Sequence, residues 1–302
     1  MGKPETLGRR HRRMMRRFAL LFLLPLLAVS QLLGDSSVWK ISKGTETMYI
    51  GGTIHILRSS DFPLPNEFER AYALSDTVVF ETDLEGTQSE AFAAGLMQQM
   101  ILPSGKTLSN TLKSETYAAL KKYLVSQGDD IAKYERLRPW AVMLVMTQTV
   151  LGRNGIDQSG VDAHYSRSAS AQNKPQRYLE TPMEQMLLIT RIGEGEEDAM
   201  ILQSIREMKM IPEMIDWLVR DWREGKMKRM ERELVQAMKD ESPQMYRLIL
   251  KERNDAWMPK LVGMMREGKK GFVLVGTMHL LGPDGMLKQF EKAGYTVSVF
   301  KE

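Results

Sequence analysis

The chain of 302 residues contains no cysteine and only four histidines. Without cysteine there is no disulfide, no catalytic thiolate and no lipid attached through sulfur. Two common hydrolase signatures are also absent: the Gly-x-Ser-x-Gly turn of serine hydrolases and the His-Glu-x-x-His helix of zinc proteases. Because no disulfide can form, stability must come from a hydrophobic core, and 43% of the residues are hydrophobic.

Net positive charge is confined to the amino terminus. The first seventeen residues contain seven lysines and arginines and one glutamate, a net charge of +6, whereas the whole chain carries +4. The remaining residues together carry −2, so the basic character belongs to the first segment alone. The charge distribution therefore predicts no nucleic-acid partner.

The basic segment precedes an uncharged apolar stretch over residues 18–29. This stretch is shorter than the roughly 20 residues of a membrane span, and Ala28 and Ser30 place small residues where a signal peptidase cleaves. We predict that residues 1–30 are a signal peptide, that cleavage follows Ser30, and that the protein is exported, to the periplasm or another extracytoplasmic space. Because apolar residues extend to Leu33, an uncleaved anchor is the alternative, and it would be the only membrane contact.

The most informative feature is a motif that occurs twice, Gly-Thr-Ile-His at residues 52–55 and Gly-Thr-Met-His at residues 276–279. Each copy follows an apolar run with strand character. Catalytic groups of α/β proteins lie at strand ends, and an imidazole binds a metal or moves a proton. We interpret His55 and His279 as metal ligands; the alternative is that both cap strand ends through hydrogen bonds.

Strand patterns occur at both ends of the chain, and helical patterns fill the middle. Residues 38–41 and 47–50 predict a hairpin, and a helix over 65–74, capped by Asn66, leads to a strand over 77–80. The later elements are helical pieces over 89–151 broken near Pro103, Gly128 and Pro139, a helix from Val161, a strand over 175–179, helices over 182–266 interrupted near Gly193, Pro212 and Pro243, a strand over 272–275, a helix over 285–292 and a strand over 296–300.

These elements predict an α/β fold of mixed α+β character. The strand units of both termini should form one central mixed β-sheet, with a large helical middle region. No linker rich in proline, glycine or serine divides the chain, so residues 31–302 are predicted to be a single domain. Such a sheet would bring His55 and His279 together.

Further phrases agree with the paired motif. They are Asp-Thr-Val-Val-Phe-Glu-Thr-Asp at 76–83, Gly-Val-Asp at 160–162, Leu-Glu-Thr-Pro-Met-Glu-Gln at 179–185, Glu-Arg-Asn at 252–254 with Trp257, and the segment that follows His279. In this order, they resemble the TraB/GumN family, which includes the TIKI-type metalloproteases. The resemblance covers nearly everything after about residue 38.

Glu81 is the predicted third ligand of the metal, beside the two histidines. It follows the end of an apolar strand that we expect next to the first histidine strand. A buried carboxylate there needs a metal, an arginine or several hydrogen-bond donors. Two imidazoles and one carboxylate leave open positions for water and substrate. Zinc, manganese, cobalt and iron all suit these ligands; the resemblance implies manganese or cobalt.

Other acids and one arginine are secondary candidates. Asp83 points to the same side as Glu81 if the strand continues, where it would orient a ligand or act as a second carboxylate; the alternative is a turn aspartate. The resemblance implies that Arg253 holds a substrate carboxylate or an oxyanion, and the alternative is a salt bridge. Glu180 is a candidate acid behind the ligands and, with Asp83, a candidate proton shuttle.

Three further residues lie in or next to the phrases that resemble the family, and the sequence indicates no catalytic role for them. Asp162 is expected to cap a helix, and Glu184 matches a family position without an evident function. His164 follows Asp162 by two residues on a helix, so its side chain should diverge from the aspartate, and we interpret it as structural.

Methionine is abundant, with 23 residues, many of them between positions 183 and 265. Core packing is the favoured interpretation of this enrichment. The alternative is an adaptable surface that binds apolar peptides.

The sequence therefore predicts an exported metal-dependent hydrolase, and the resemblance implies a peptidase that acts on peptide or protein substrates. A nearby class is a metal-dependent esterase. The alternative from another class is a non-catalytic protein that binds peptide signals or supports polysaccharide export.

Overall fold

A computed structural model describes residues 36–156 and 158–301. The predicted leader and His11 lie outside these residues. Within the described part of the chain, no helix is both long enough and apolar enough to cross a membrane.

Six of the strands form one sheet, in the order β6-β4-β7-β2-β1-β8. The strands are β1 (Val38–Lys43), β2 (Glu46–Thr53), β3 (Ile56–Leu57), β4 (Thr77–Phe80), β5 (Gln158–Ser159), β6 (Gln176–Tyr178), β7 (Gly271–Gly276) and β8 (Thr296–Val299). Strands β6, β4, β7 and β2 run parallel, whereas β1 is antiparallel to both β2 and β8. The short strands β3 and β5 pair separately. The predicted mixed sheet built from both termini is confirmed.

Strand β7 forms the centre of the sheet because it is apolar on both faces. Phe272, Val273 and Leu274 are fully buried, as expected for a parallel strand covered by helices on both sides. Each such side chain contributes about 1.5–3 kcal/mol through burial. The strand is therefore held rigidly, and it carries the second Gly-x-x-His motif at its carboxyl end.

Helices fill the intervals as predicted. They are α1 (Asn66–Ala73), α2 (Glu90–Met100), α3 (Leu108–Thr111), α4 (Ser114–Ser126), α5 (Pro139–Arg153), α6 (Val161–Ala171), α7 (Pro182–Thr190), α8 (Glu197–Met208), α9 (Ile211–Arg223), α10 (Met227–Met230), α11 (Ala237–Glu241), α12 (Pro243–Tyr246), α13 (Glu252–Arg266) and α14 (Met286–Lys292). Turns of π-helix at Glu231–Gln236 and Arg247–Lys251 join α10 to α11 and α12 to α13.

The apolar side chains form two clusters. One surrounds the sheet and includes Phe68, Tyr165, Trp222 and Phe272. The other lies within the helical middle region and contains residues of α3, α4, α5 and α8, with Trp140 among its largest members. Several of the abundant methionines are buried in these clusters, which confirms core packing for part of the set. The members between positions 183 and 265 are Met200, Met208, Met230, Met258 and Met265.

Three local predictions were wrong. Strand β4 pairs with β7, not with the first histidine strand, because β7 inserts between β4 and β2. Asn66 is the first residue of α1 and not its cap, since Pro65 holds the extended position before it. Asp162 does not cap α6, which begins after Gly160; its carboxylate instead contacts the first histidine motif.

Candidate metal centre

Each of the four parallel strands is followed by an ionisable side chain at its carboxyl end. In the order of the strands across the sheet, these residues are Glu180 after β6, Glu81 after β4, His279 after β7 and His55 after β2. Because parallel strands end at the same edge, residues that are far apart in sequence meet there. The sheet therefore brings together the two histidines and the glutamate predicted as ligands.

The glycine of each Gly-x-x-His motif makes room for the other motif. A Cβ atom on Gly52 would lie 2.9 Å from Oγ1 of Thr277, and a Cβ atom on Gly276 would lie 3.1 Å from Nε2 of His55 and 3.4 Å from Oε1 of Glu81. The two motifs are also joined by a hydrogen bond in which the Thr277 hydroxyl donates to the Thr53 carbonyl at 3.0 Å. Close packing of the two motifs explains why both contain glycine.

His279 is held in one tautomer. The amide nitrogen of Asn254 donates to the carbonyls of His279 and Asp284, at 3.1 and 3.0 Å, so the amide oxygen must face the imidazole. That oxygen lies 2.7 Å from Nδ1 of His279, which therefore carries the proton. Burial lowers the pKa of His279 to about 3, so the ring is neutral and its Nε2 offers a lone pair.

His55 is oriented in a similar way by Asp162. Its Nδ1 lies 2.8 Å from one oxygen of Asp162, and the other oxygen accepts a hydrogen bond from Thr53 at 2.9 Å. The carboxylate raises the pKa of His55. The side chain of His55 is 60% exposed, whereas that of His279 is only 5% exposed, so the site opens to solvent on the side of His55.

Glu81 is buried and ionised. Burial opposes its charge, but Arg253, the two histidines and the N–H of Gly276 outweigh it and hold its pKa at about 2. Its Oε1 accepts from Gly276 at 2.7 Å and lies 3.8 Å from Nε2 of His279, while its Oε2 accepts from Arg253 at 2.5 Å. One carboxylate oxygen thus faces the histidines and the other faces the arginine.

Arg253 uses all five of its N–H groups within the protein. It donates to both oxygens of Glu180, to Oε2 of Glu81, to the Ile249 carbonyl and, at 3.0 Å, to Nε2 of His279. Its guanidinium also stacks on Trp257, 4.4 Å from the ring centre. Glu180 keeps a raised pKa because burial outweighs the pull of Arg253. The salt-bridge alternative for Arg253 is therefore what the structure contains.

The residues suit a divalent metal in chemistry and orientation, with one obstacle. Each histidine is fixed through Nδ1, as metal-binding histidines usually are. Nε2 of His279 offers a lone pair, whereas Nε2 of His55 must release a proton to bind an ion, because Asp162 raises the pKa of that ring to about 9. Ligand atoms bonded to one ion at about 2.0–2.2 Å lie roughly 3.0–3.6 Å apart, close to the 3.8 Å between Glu81 and His279. Arg253, however, occupies the lone pair of His279. Across residues 36–156 and 158–301, no group of three histidine or carboxylate side chains is placed to hold an ion as the side chains stand.

Three residues considered in the sequence analysis lie outside this cluster. Asp83 is a turn residue, whose Oδ1 accepts from the backbone of Glu85 and Gly86 at 3.1 and 3.0 Å. Glu184 forms a capping box with Thr181 at the start of α7. His164 lies 3.6 Å from Glu69, away from Asp162, in agreement with a structural role.

Asn254 hydrogen-bonds to the imidazole of His279, and the sequence analysis gave it no role. It is 1% exposed, and all its polar atoms act on His279 or on the loop that follows it. A buried asparagine beside a candidate arginine was the available signal, because such an amide must have hydrogen-bond partners. Its position within the Glu-Arg-Asn phrase gave no indication of which partners it has.

The fold and the edge cluster define an α/β protein with a histidine and carboxylate site at the carboxyl ends of parallel strands. The family model described as TraB/PrgY/gumN matches residues 37–299. The chain therefore belongs to the TraB/PrgY/gumN family, as the resemblance predicted. No curated protein gives a significant match, and no solved structure does.

Proposed function

We propose that this protein is a metal-dependent hydrolase that cleaves peptide bonds, with His55, Glu81 and His279 as the ligands of one divalent ion. The main support is the pairing of two Nδ1-anchored imidazoles with a buried carboxylate at one sheet edge. Family membership is compatible with this chemistry. Manganese and cobalt are the expected ions, and zinc suits the same donors.

A divalent ion bound by these ligands would supply Lewis acidity, which lowers the pKa of water and polarises a carbonyl. Asp162 and Asn254 keep Nδ1 of each histidine protonated and Nε2 directed inward. Glu180 is the candidate proton carrier, because burial raises its pKa and it borders Glu81 through Arg253. Asp83 is a weaker candidate, because it lies in a turn outside this cluster, where its Oδ1 accepts from the backbone of Glu85 and Gly86.

Arg253 would change its hydrogen bonds when the site is loaded. If Nε2 of His279 becomes a ligand, the N–H of Arg253 that now donates to it at 3.0 Å is released next to the ion. Glu180 and Glu81 would still hold the rest of the guanidinium. The freed N–H would then stabilise negative charge on a carbonyl oxygen, which is the role that the resemblance implies.

A peptide-library digest tests this function. The full chain is stripped with a chelator, reloaded with manganese, cobalt or zinc, and its products are identified by mass spectrometry. We expect cleavage that requires the ion and is lost in His279→Ala and Glu81→Gln, while His164→Ala cleaves like the wild type. Cleavage that survives both the chelator and the loss of His55 and His279 would refute the mechanism.

One observation favours a second function, a non-catalytic protein that binds peptide signals or supports polysaccharide export. The arginine satisfies Glu81, Glu180 and His279 without any ion, so the cluster is stable as a purely structural network. A protein that binds peptides but cleaves no peptide or ester under any loading would favour this function.

We also propose export through residues 1–30. The support is the basic segment followed by the short apolar stretch and the small residues Ala28 and Ser30. Mass spectrometry of the protein from its native envelope tests this, with an amino terminus after Ser30 as the expected result. An intact leader on a cytoplasmic protein would contradict export, and an intact leader in the membrane would indicate the anchor.

A further inference from the structure

The first Gly-x-x-His motif is anchored by the end of helix α9. The indole Nε1 of Trp222 donates to the carbonyl of Gly52 at 2.7 Å, and Trp222 is fully buried. The next residue, Arg223, donates through Nη1 to the carbonyls of Asp61 and Pro63, at 2.6 and 3.0 Å. Two neighbouring residues of one helix therefore hold the chain on both sides of the motif's histidine.

The imidazole of His55 has less packing than that of His279. The side chain of His55 is 60% exposed, whereas that of His279 is buried against Trp257, with 4.6 Å between the ring centres. Asp162 orients the ring of His55 through Nδ1, so the position of the whole side chain depends on the backbone that carries it. The anchors of residues 52–63 therefore decide where this imidazole lies.

Helix α6 holds the same segment through backbone groups. The N–H groups of Gly160 and Val161 donate to the carbonyls of His55 and Ile54, at 2.9 and 3.1 Å. A side-chain substitution leaves these bonds in place, whereas the bonds from α9 come from side chains and can be removed one at a time.

The contribution of α9 is concentrated in its last two residues. A third contact, between Asp216 of α9 and Arg58 at 2.7 Å, involves an aspartate that is 64% exposed, and exposed ion pairs contribute little. Trp222 and Arg223 are therefore the side chains of α9 that the anchoring depends on.

We propose that Trp222 and Arg223 are positioning residues that keep the imidazole of His55 at the other two proposed ligands. Each acts through the backbone carbonyls that it binds. The assignment deepens the proposed function and rests on it, because the position of a ligand matters only if the centre holds an ion.

The hydrogen bond from Trp222 to Gly52 is buried, so its loss has a structural consequence. A buried carbonyl without a donor is unfavourable, and the end of β2 would shift until this carbonyl finds another donor. Loss of a hydrogen bond that orients a metal ligand typically lowers metal affinity about 10–100-fold. A small displacement of His55 should therefore be measurable as weaker metal binding.

Nitrogen NMR of the imidazoles in the metal-free full chain tests this role, followed by titration with manganese. Trp222→Phe keeps an aromatic ring in the core but removes the donor to Gly52. We expect the His55 signals to shift or broaden in Trp222→Phe and in Arg223→Ala, whereas the His279 signals stay in place. Arg223→Lys retains a charged donor for the two carbonyls and should keep the wild-type His55 signals.

Two other residues of α9 provide matched controls. Trp217→Phe removes an indole whose partner is the Arg229 guanidinium, and Arg220→Ala removes a cation that pairs with Asp221. Both controls should leave the signals of the first motif and the manganese affinity unchanged. The two test variants should lower that affinity about tenfold.

Unchanged His55 signals in folded Trp222→Phe and Arg223→Ala would overturn the assignment. Equal changes at His55 and His279 would also overturn it, because they would indicate a general loss of packing. If Trp222→Phe does not fold, Arg223→Ala carries the test, since Arg223 is exposed and lies outside the core. A selective change at His55 in a chain that binds no metal would keep the anchoring and refute the metal centre, whereas wild-type manganese affinity in both variants would do the reverse.

Discussion

Gly276 and His55 belong to different motifs, yet they are packed against each other. Because Gly276 has no side chain, the imidazole of His55 can lie against its backbone. A Cβ atom at position 276 would lie 3.1 Å from Nε2 of His55, closer than ordinary van der Waals contact. The backbone angles at Gly276, φ −50° and ψ 134°, are accessible to alanine, so the glycine is needed for this close approach and not for its conformation. The same Cβ atom would lie 3.4 Å from Oε1 of Glu81, so Gly276 borders two of the proposed ligands.

Gly276→Ala should therefore impair the metal site more than the fold. The added methyl group displaces His55 or Glu81 by a few tenths of an ångström, and we expect metal affinity to fall by about tenfold. Isothermal titration with manganese measures the affinity, and a thermal melt measures stability. Gly271→Ala is the matched control in the same strand, because its Cβ atom would meet nothing closer than 3.5 Å. Equal manganese affinity in both variants would contradict this role of Gly276.

Arg253→Ala should destabilise the metal-free protein strongly. The substitution leaves Glu81 and Glu180 buried without their cation, which typically costs about 3–5 kcal/mol of unfolding free energy. Added manganese should restore more stability to this variant than to the wild type, since the ion replaces the lost positive charge beside Glu81. Substrate turnover should remain low, because the N–H next to His279 is gone.

Scanning fluorimetry across manganese concentrations measures this difference. Arg177→Ala serves as the control, because Arg177 pairs with Glu267 at the surface, where an ion pair contributes about 0–1 kcal/mol. Its melting temperature should change little and should respond to manganese as the wild type does. A melting temperature of Arg253→Ala that manganese does not raise would contradict a metal ion beside Glu81.

Asn254 should act on metal binding through the tautomer of His279. Asn254→Leu removes the acceptor for Nδ1, so we expect metal affinity to fall by roughly 10–100-fold. Asn254→Asp keeps an acceptor for Nδ1 and should retain most of the affinity, although both variants lose the donors to the His279 and Asp284 carbonyls and should be less stable. Nitrogen NMR of the imidazole together with manganese titration checks this. Equal loss of affinity in both variants would mean that Asn254 is only structural.

The sequence predicted the strands and their motifs because the relevant signals are local. Apolar runs before each Gly-x-x-His motif marked β2 and β7, and the separation of His164 from Asp162 followed from helical geometry. The position of β7 between β2 and β4 could not be predicted in the same way, since strand order depends on how the whole chain packs. The expectation that Glu81 lies beside the first histidine strand was wrong for that reason.

The partners of the site residues were also beyond local signals. Arg253 and Glu81 are 172 positions apart, and Thr53 and Asp162 are 109 apart. Nothing within a few residues of Arg253 indicates that all its donors are used inside the protein. The prediction that Asp162 caps a helix was wrong. An aspartate near a helix start can cap the helix or accept a hydrogen bond from a distant residue, and the contact with His55 exists only in the folded chain.

The most direct test of the proposed metal centre is the stoichiometry and affinity of divalent metal binding to the purified full chain, measured by titration calorimetry and elemental analysis. Wild type and His164→Ala should each bind one manganese or cobalt ion per chain. His279→Ala and Glu81→Gln should lose that ion while keeping the same secondary structure. Equal metal content in all four proteins, or none in the wild type at millimolar metal, would contradict the proposed centre.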